Sequence, residues 1–257
     1  MVQMTQIFTT IIIFIIGLVI GSFSNVCIYR LPRNESIVFP GSHCPRCSYP
    51  IEWHDNIPLI SYIILKGKCR SCAEKISLQY PLVEFLTASL YLFLFYFYGL
   101  QLRTVVYMVF CSALVIIAFI DLKEKIIPDV ISLPLTALGF LSSFVLKNIS
   151  PLNSLLGILA GGGSLYLIAI AGTYIFRKEA MGGGDIKLSA MVGAFLGWQL
   201  ALLSLFIGFL LGSVIGIIVL MKTKGEIRDV PFGPFIALGT LIALFFGQGI
   251  LDWYFLL

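Results

Sequence analysis

Eight apolar runs, each near the length that crosses a bilayer, constrain this chain more than any other feature. A helix needs about 20 residues to span a hydrocarbon core of about 30 Å. Runs of this kind lie at about 5–28, 82–100, 104–121, 129–147, 152–176, 185–198, 200–221 and 233–256. The sixth is the shortest and the most polar. The chain is 59% hydrophobic and 12% charged over 257 residues, with a mean hydropathy of +1.00. An average soluble domain carries about 25% charged residues, so a soluble fold is excluded. The expectation is an all-α polytopic membrane protein of about eight transmembrane helices, in contact with the lipid bilayer.

Lys and Arg accumulate on the cytoplasmic side of such proteins. Placing the long polar stretch at about 30–80 inside puts all but Arg103 and Lys147 of the 17 basic residues inside, with both termini outside. The same asymmetry accounts for the net charge of +4, which therefore calls for no nucleic-acid partner. The first run lacks a basic n-region, and its charges follow it at Arg30 and Arg33. It reads as a retained first helix, 1–29, rather than a cleaved signal peptide. A small cytoplasmic domain at 30–80 and a membrane domain at 81–257 complete the expected organisation.

The polar stretch contains Cys44-Pro-Arg-Cys47 and Cys69-Arg-Ser-Cys72. Two such knuckles, each giving two thiolates to one tetrahedral ion, have the spacing of a structural zinc site. Two disulfides are the alternative, disfavoured on the reducing cytosolic side. A loop this small buries little apolar surface, so a metal would supply its folding free energy. Four protein ligands leave no open position for a catalytic water. His43 and His54 stand near enough in sequence to be alternative ligands. Cys27 and Cys111 lie in apolar runs and read as small buried hydrophobes. The segment Ile57–Leu65 is apolar but too short to span, and is expected to pack on the zinc loop or lie on the membrane surface.

Acids beside membrane helices are costly and so point to function. Asp121 closes the third run in AFIDLKEKIIPDV, and Asp185 opens the sixth in MGGGDIKL. The charge count puts both at the inner end of the bundle, where they can face each other. Two facing carboxylates hold one proton between them, which makes one a base and the other an acid. Such a pair activates water against a peptide carbonyl. Gly182, Gly183 and Gly184 are expected to leave conformational freedom and space for an extended substrate strand beside Asp185. The simpler reading of that run is a turn with Asp185 as helix cap.

Asp129 is the rival for the first carboxylate, but after Pro128 and before an apolar run it has the position of a capping residue. Lys123 and Lys187 stand two places after their aspartates, on the wrong side of a helix to pair with them, and read as snorkelling toward head groups. Glu84 is an acid inside an apolar run that pairs with a loop cation or contacts a ligand. Arg177, Lys178 and Glu179, like Glu226, Arg228 and Asp229, read as solvated loop.

Five segments in order, GSFSNVCIYRLP at 21–32, HCPRC with LKGKCRSC, QYPLVEFLTA at 79–88, IDLKEKIIPD at 120–129 and GGGDIKL at 182–188, resemble the bacterial type IV prepilin peptidases, including their competence-pseudopilin-processing members. The resemblance covers nearly the whole chain. It implies a GxGD-type intramembrane aspartyl protease with Asp121 and Asp185 as the catalytic pair. It further implies removal of the leader peptide of prepilins or pseudopilins at the cytoplasmic face of the bacterial plasma membrane. N-methylation of the new N-terminus with S-adenosylmethionine is implied by the resemblance alone. No G-x-G-x-x-G loop is present to mark a cofactor pocket, and the methyl-donor residues stay unassigned.

Two other readings compete. A cation carrier would place its acids near the bilayer midplane and show internal repeats, and neither is found. A GxGD protease that cuts within other membrane proteins would not need the cysteine loop.

Overall fold

Lipid offers no partner for a backbone amide, so an apolar run has to close its hydrogen bonds within itself, as a helix. The computed structural model describes residues 2–146, 149–177, 181–222 and 230–255. Lys147, Lys178, Glu179, Lys224, Glu226, Arg228 and Asp229 lie outside them. The helices are α1 (Val2–Arg30), α2 (Ile60–Ile64), α3 (Gln79–Tyr98), α4 (Leu102–Glu124), α5 (Asp129–Leu146), α6 (Pro151–Phe176), α7 (Gly183–Leu196), α8 (Trp198–Lys222) and α9 (Gly233–Phe255). Each expected run corresponds to one of them within a few residues. The described residues contain no strand, only two isolated bridges in the polar loop.

Seven of these helices, α1, α3, α4, α5, α6, α8 and α9, are long and apolar enough to cross a membrane, and the protein is a multi-pass membrane protein. The sixth run is the short one, as expected. Its helix, α7, has 14 residues, about 21 Å at 1.5 Å per residue. Gly197, at φ +78, ends it. The chain turns at once into α8, whose first N–H, on Trp198, bonds the Asn153 side-chain oxygen at 3.3 Å.

The helices gather into two compact units, Met1–Ile116 and Ile117–Leu257, with α4 running from one into the other. In the first, α1 lies directly on α3. A Cβ on Gly17 would stand 2.5 Å from Ala88 Cα, and one on Gly21 would stand 2.6 Å from Glu84 Cα, the small-residue spacing that lets membrane helices touch backbones. Tyr91 and Ser112 join α3 to α4 through a buried hydroxyl pair at 2.9 Å.

In the second unit α7 is buried between α5 and α6. Cβ atoms on Gly157 and Gly193 would each fall about 2 Å from the other's carbonyl oxygen, at 2.1 and 1.9 Å. Ser154 Oγ donates to Ala194 O across the same contact at 2.7 Å. The α8–α9 pair is built alike, with a Cβ on Gly239 placed 2.2 Å from Ser204 O. Other hydroxyls bond back into their own helices, as Thr87 does to Val83 O and Thr240 to Ile236 O, both within 2.8 Å, which satisfies them without a partner helix.

Candidate functional site

The polar loop of the first unit is built from one small device used twice. At Cys44 the N–H bonds Tyr49 O at 2.9 Å, and Ser48 N–H returns to Cys44 O at 2.9 Å. At Cys69 the N–H bonds Glu74 O at 2.8 Å, and Ala73 N–H returns to Cys69 O at 3.0 Å. The fourth residue after each leading cysteine takes a left-handed conformation, Ser48 and Ala73 both at φ 57. Each knuckle thus turns its two sulfurs to the same side.

The four sulfurs of Cys44, Cys47, Cys69 and Cys72 lie within 4.8 Å of one another, and Cys44 Sγ is 3.9 Å from Cys72 Sγ. Thiolates 2.3 Å from a tetrahedral zinc stand about 3.8 Å apart, so the cluster can hold a metal ion. Its electrostatics agree. The Cys69 sulfur accepts the N–H groups of Cys72 and then Ser71, which brings its thiol down to about 7. At Cys72 the N–H of Glu74 acts in the same sense. Desolvation and the neighbouring sulfurs of Cys47, Cys69 and Cys44 outweigh it and push the thiol up to about 12. Four sulfurs this close ionise together only around a cation.

Neither histidine joins the cluster. His43 Nδ1 lies 3.1 Å from Gly41 O, and His54 stands beside Glu52 and Asp55 at 3.5 and 3.8 Å. The loop is tied down by charge. Buried Arg30 donates to the carbonyls of Ser36, Pro40 and Gly41. Arg70 grips Asp55 with two bonds of 2.6 Å, and that hydrogen bonding holds the Asp55 carboxyl below the usual range.

Among the described residues Glu84 pairs with neither a loop cation nor any other charge. Its Oε2 accepts the Leu59 N–H at 2.8 Å, at a tight turn where Leu59 has φ 60 and ψ −47 and Ile60 N–H reaches back to Pro58 O at 2.6 Å. This is the strained γ-turn geometry. Glu84 therefore positions the start of α2. The Ile57–Leu65 segment forms that short helix, with Ser61 inward and Ile60, Ile63 and Ile64 exposed.

Asp121 and Asp185 come together within the second unit. Asp121, one turn before the end of α4, is 5% exposed. Asp185 sits in the first turn of α7, and the charge of Asp121 reaches it. The cap of α7 is Gly182, so Asp185 is not a capping residue, and its N–H bonds Gly182 O at 3.2 Å. The three glycines differ in role. A Cβ on Gly184 would strike Ile127 Cβ at 2.8 Å, whereas one on Gly183 would meet nothing within 4 Å. None of the three has a positive φ, so the run is used for space and not for unusual backbone angles.

Asp129 also departs from its expected role. It is the first residue of α5 rather than its cap, and both carboxylate oxygens accept from Lys187 Nζ at 2.7 Å. Lys187 therefore leaves Asp185 alone, as its spacing predicts, yet it is paired and not reaching for head groups.

One participant carried no obvious sequence signal. The Gly233 N–H donates to Asp121 Oδ2 at 2.7 Å in a buried bond. The fragment Pro231-Phe-Gly-Pro234 ahead of the last apolar run was the available clue, since a glycine between prolines at a helix start marks a specialised turn.

Comparison with known proteins adds to this geometry. The family described as Bacterial Peptidase A24 N-terminal domain matches residues 15–98, and the Type IV leader peptidase family matches residues 108–217. The chain is similar to a prepilin leader peptidase/N-methyltransferase of Aeromonas salmonicida, 35% identical over 95% of this chain and 92% of the relative. A protein of the same name from Pseudomonas aeruginosa is 34% identical over 93% and 91%, and one from Myxococcus xanthus 39% identical over 83% and 64%. No solved structure matches.

Proposed function

We infer, since this chain belongs to the type IV leader peptidase family, that it is a prepilin leader peptidase with N-methyltransferase activity, and that Asp121 and Asp185 are its hydrolytic pair. One observation carries the assignment of the pair. Two acids from α4 and α7 lie in one unit, close enough for one charge to act on the other, while Asp129, at the start of α5, is paired with Lys187.

Two facing carboxylates share one proton. The ionised member takes a proton from water as its oxygen attacks the scissile carbonyl carbon. The protonated member gives its proton to the carbonyl oxygen, and the tetrahedral diol forms. On collapse the first member protonates the departing nitrogen, the diol hydroxyl returns a proton to the second, and the C–N bond breaks. The pair ends as it began. Gly182 and Gly183 border this point with no side chain to obstruct an extended leader, and the open space at Gly183 supports that role.

The pair works at the cytoplasmic face of the bacterial plasma membrane, where prepilin or pseudopilin leaders are presented, a reading that the basic loops support. Residues 30–80 act as a cytoplasmic module, between a first transmembrane helix at 1–29 and the protease domain at 81–257. Cys44, Cys47, Cys69 and Cys72 hold a structural Zn²⁺, whose bonds supply folding free energy that the loop's thin core lacks. S-adenosylmethionine is the methyl donor. The described residues offer it no strand, glycine loop and helix of the dinucleotide-binding kind, and no residue is assigned to it.

The test is incubation of the reconstituted protein with a prepilin-like peptide and methyl donor, with leader loss and methyl gain read by mass. Asp121→Asn and Asp185→Asn each lower leader removal by about a thousandfold or more in a protein that still folds and inserts. Cleavage retained by either variant removes that aspartate from the site.

A further inference from the structure

Gly233 opens α9 inside Pro231-Phe-Gly-Pro234, and the two prolines carry no N–H. The N–H groups of Phe235 and Ile236 both turn back to Phe232 O, at 3.0 and 3.2 Å. The Gly233 N–H is thus the donor this helix start directs elsewhere, and it bonds Asp121 Oδ2 at 2.7 Å. A Cβ at position 233 would lie 2.8 Å from that oxygen and 3.1 Å from the carboxyl carbon, so the bond at this length requires glycine. Asp185 is held otherwise. Among the described residues no donor reaches its carboxylate.

We propose that Gly233 is a positioning residue whose N–H fixes Asp121 as the base of the pair, leaving Asp185 to carry the proton. The proposal rests on the pair being the hydrolytic centre. An oxygen that accepts an N–H bond is not the one bearing a proton, and such a bond is stronger when the acceptor is charged. With Oδ2 anchored, Oδ1 is the oxygen left to take the proton of the attacking water. Asp185, whose carboxylate meets no donor among the described residues, is left to hold the proton that goes to the scissile carbonyl oxygen. The α9 start therefore breaks the symmetry between two chemically equal acids.

The experiment uses the protein labelled with ¹⁵N-glycine and ¹³C-carbonyl phenylalanine in nanodiscs; only Gly233 and Gly247 follow a phenylalanine, and the Gly233 amide is the carbonyl-coupled resonance that remains in Phe246→Leu. An asparagine at 121 still offers a carbonyl to the amide but carries no charge, so it imitates a protonated Asp121. The resonance is expected to move in Asp121→Asn and to stay near its place in Asp185→Asn. A resonance that Asp121→Asn leaves unmoved overturns the proposal, because Asp121 would then be neutral or unbonded. In parallel, Gly233→Ala should lower kcat about a hundredfold, the cost of displacing a reacting group by about 1 Å, with KM within about twofold. A wild-type kcat in Gly233→Ala also overturns it. Should Gly233→Ala fail to insert, the resonance in Asp121→Asn still decides. Cleavage by Asp121→Asn itself would sink the hydrolytic pair, a separate failure from that of the positioning role.

Discussion

The cysteine cluster and the aspartate pair are assembled in opposite ways. Each cysteine knuckle is closed by hydrogen bonds spanning five residues or fewer, so its geometry is written into a short stretch of chain. The aspartate pair draws on α4, α7 and the start of α9, and its tightest bond joins residues 112 positions apart. A local site can survive the loss of its surroundings but not of its ion. A site assembled from distant helices behaves the other way, holding its shape through packing while any single acid is replaced.

That contrast is most exposed by removing the metal. Chelation or Cys44→Ser should open the loop to proteolysis between about 35 and 75 while the membrane helices stay protected, because metal binding is this loop's folding energy. Metal analysis of reduced protein should find one zinc per chain, and Asp121→Asn should keep that zinc. A loop equally protected with and without metal would erase the distinction between the two regions.

A smaller effect separates the glycines. Gly184→Ala drives a methyl into Ile127 and should destabilise by about 1–3 kcal/mol, the usual cost of overpacking. Gly183→Ala meets no neighbour and should leave stability within about 0.5 kcal/mol. Any rise in KM for the peptide in Gly183→Ala then reports contact with substrate. Thermal melts together with peptide kinetics distinguish the two.

Within the loop, Ser48→Gly and Ala73→Gly relieve the left-handed backbone at φ 57 and should each raise loop stability by up to about 1 kcal/mol, measured by resistance to chelator. The smallest effect concerns Asp55. Its carboxyl is held below its usual value by Arg70, so the pair's contribution is present above the unfolded pKa of about 3.9 and is lost as pH falls through the folded value. Arg70→Gln should therefore abolish a loss of loop order seen only below about pH 4. An identical acid profile in the variant would show that another group titrates.

The sequence made the spans and the cysteine cluster legible because both depend on near neighbours: twenty apolar residues, or two cysteines three apart. The shortness of α7 was less legible, because Gly197 and Trp198 end one helix and begin another without a polar break. The pairing of Lys187 with Asp129, the anchoring of Asp121 by Gly233 and the hold of Glu84 on Leu59 were all hidden for one reason. Each joins segments brought together only by helix packing, and no local pattern encodes the partner.

The close backbone approaches in the second unit set how it can move. Gly157 and Gly193 seat α6 on α7 so tightly that neither helix can rotate or slide without driving a carbonyl into a Cα, and Gly239 does the same for α9 on α8. Asp185 therefore travels with one rigid couple, and the anchor of Asp121 with the other. A shift of one couple against the other would change the spacing of the two acids while leaving the backbone contacts inside each couple as they are.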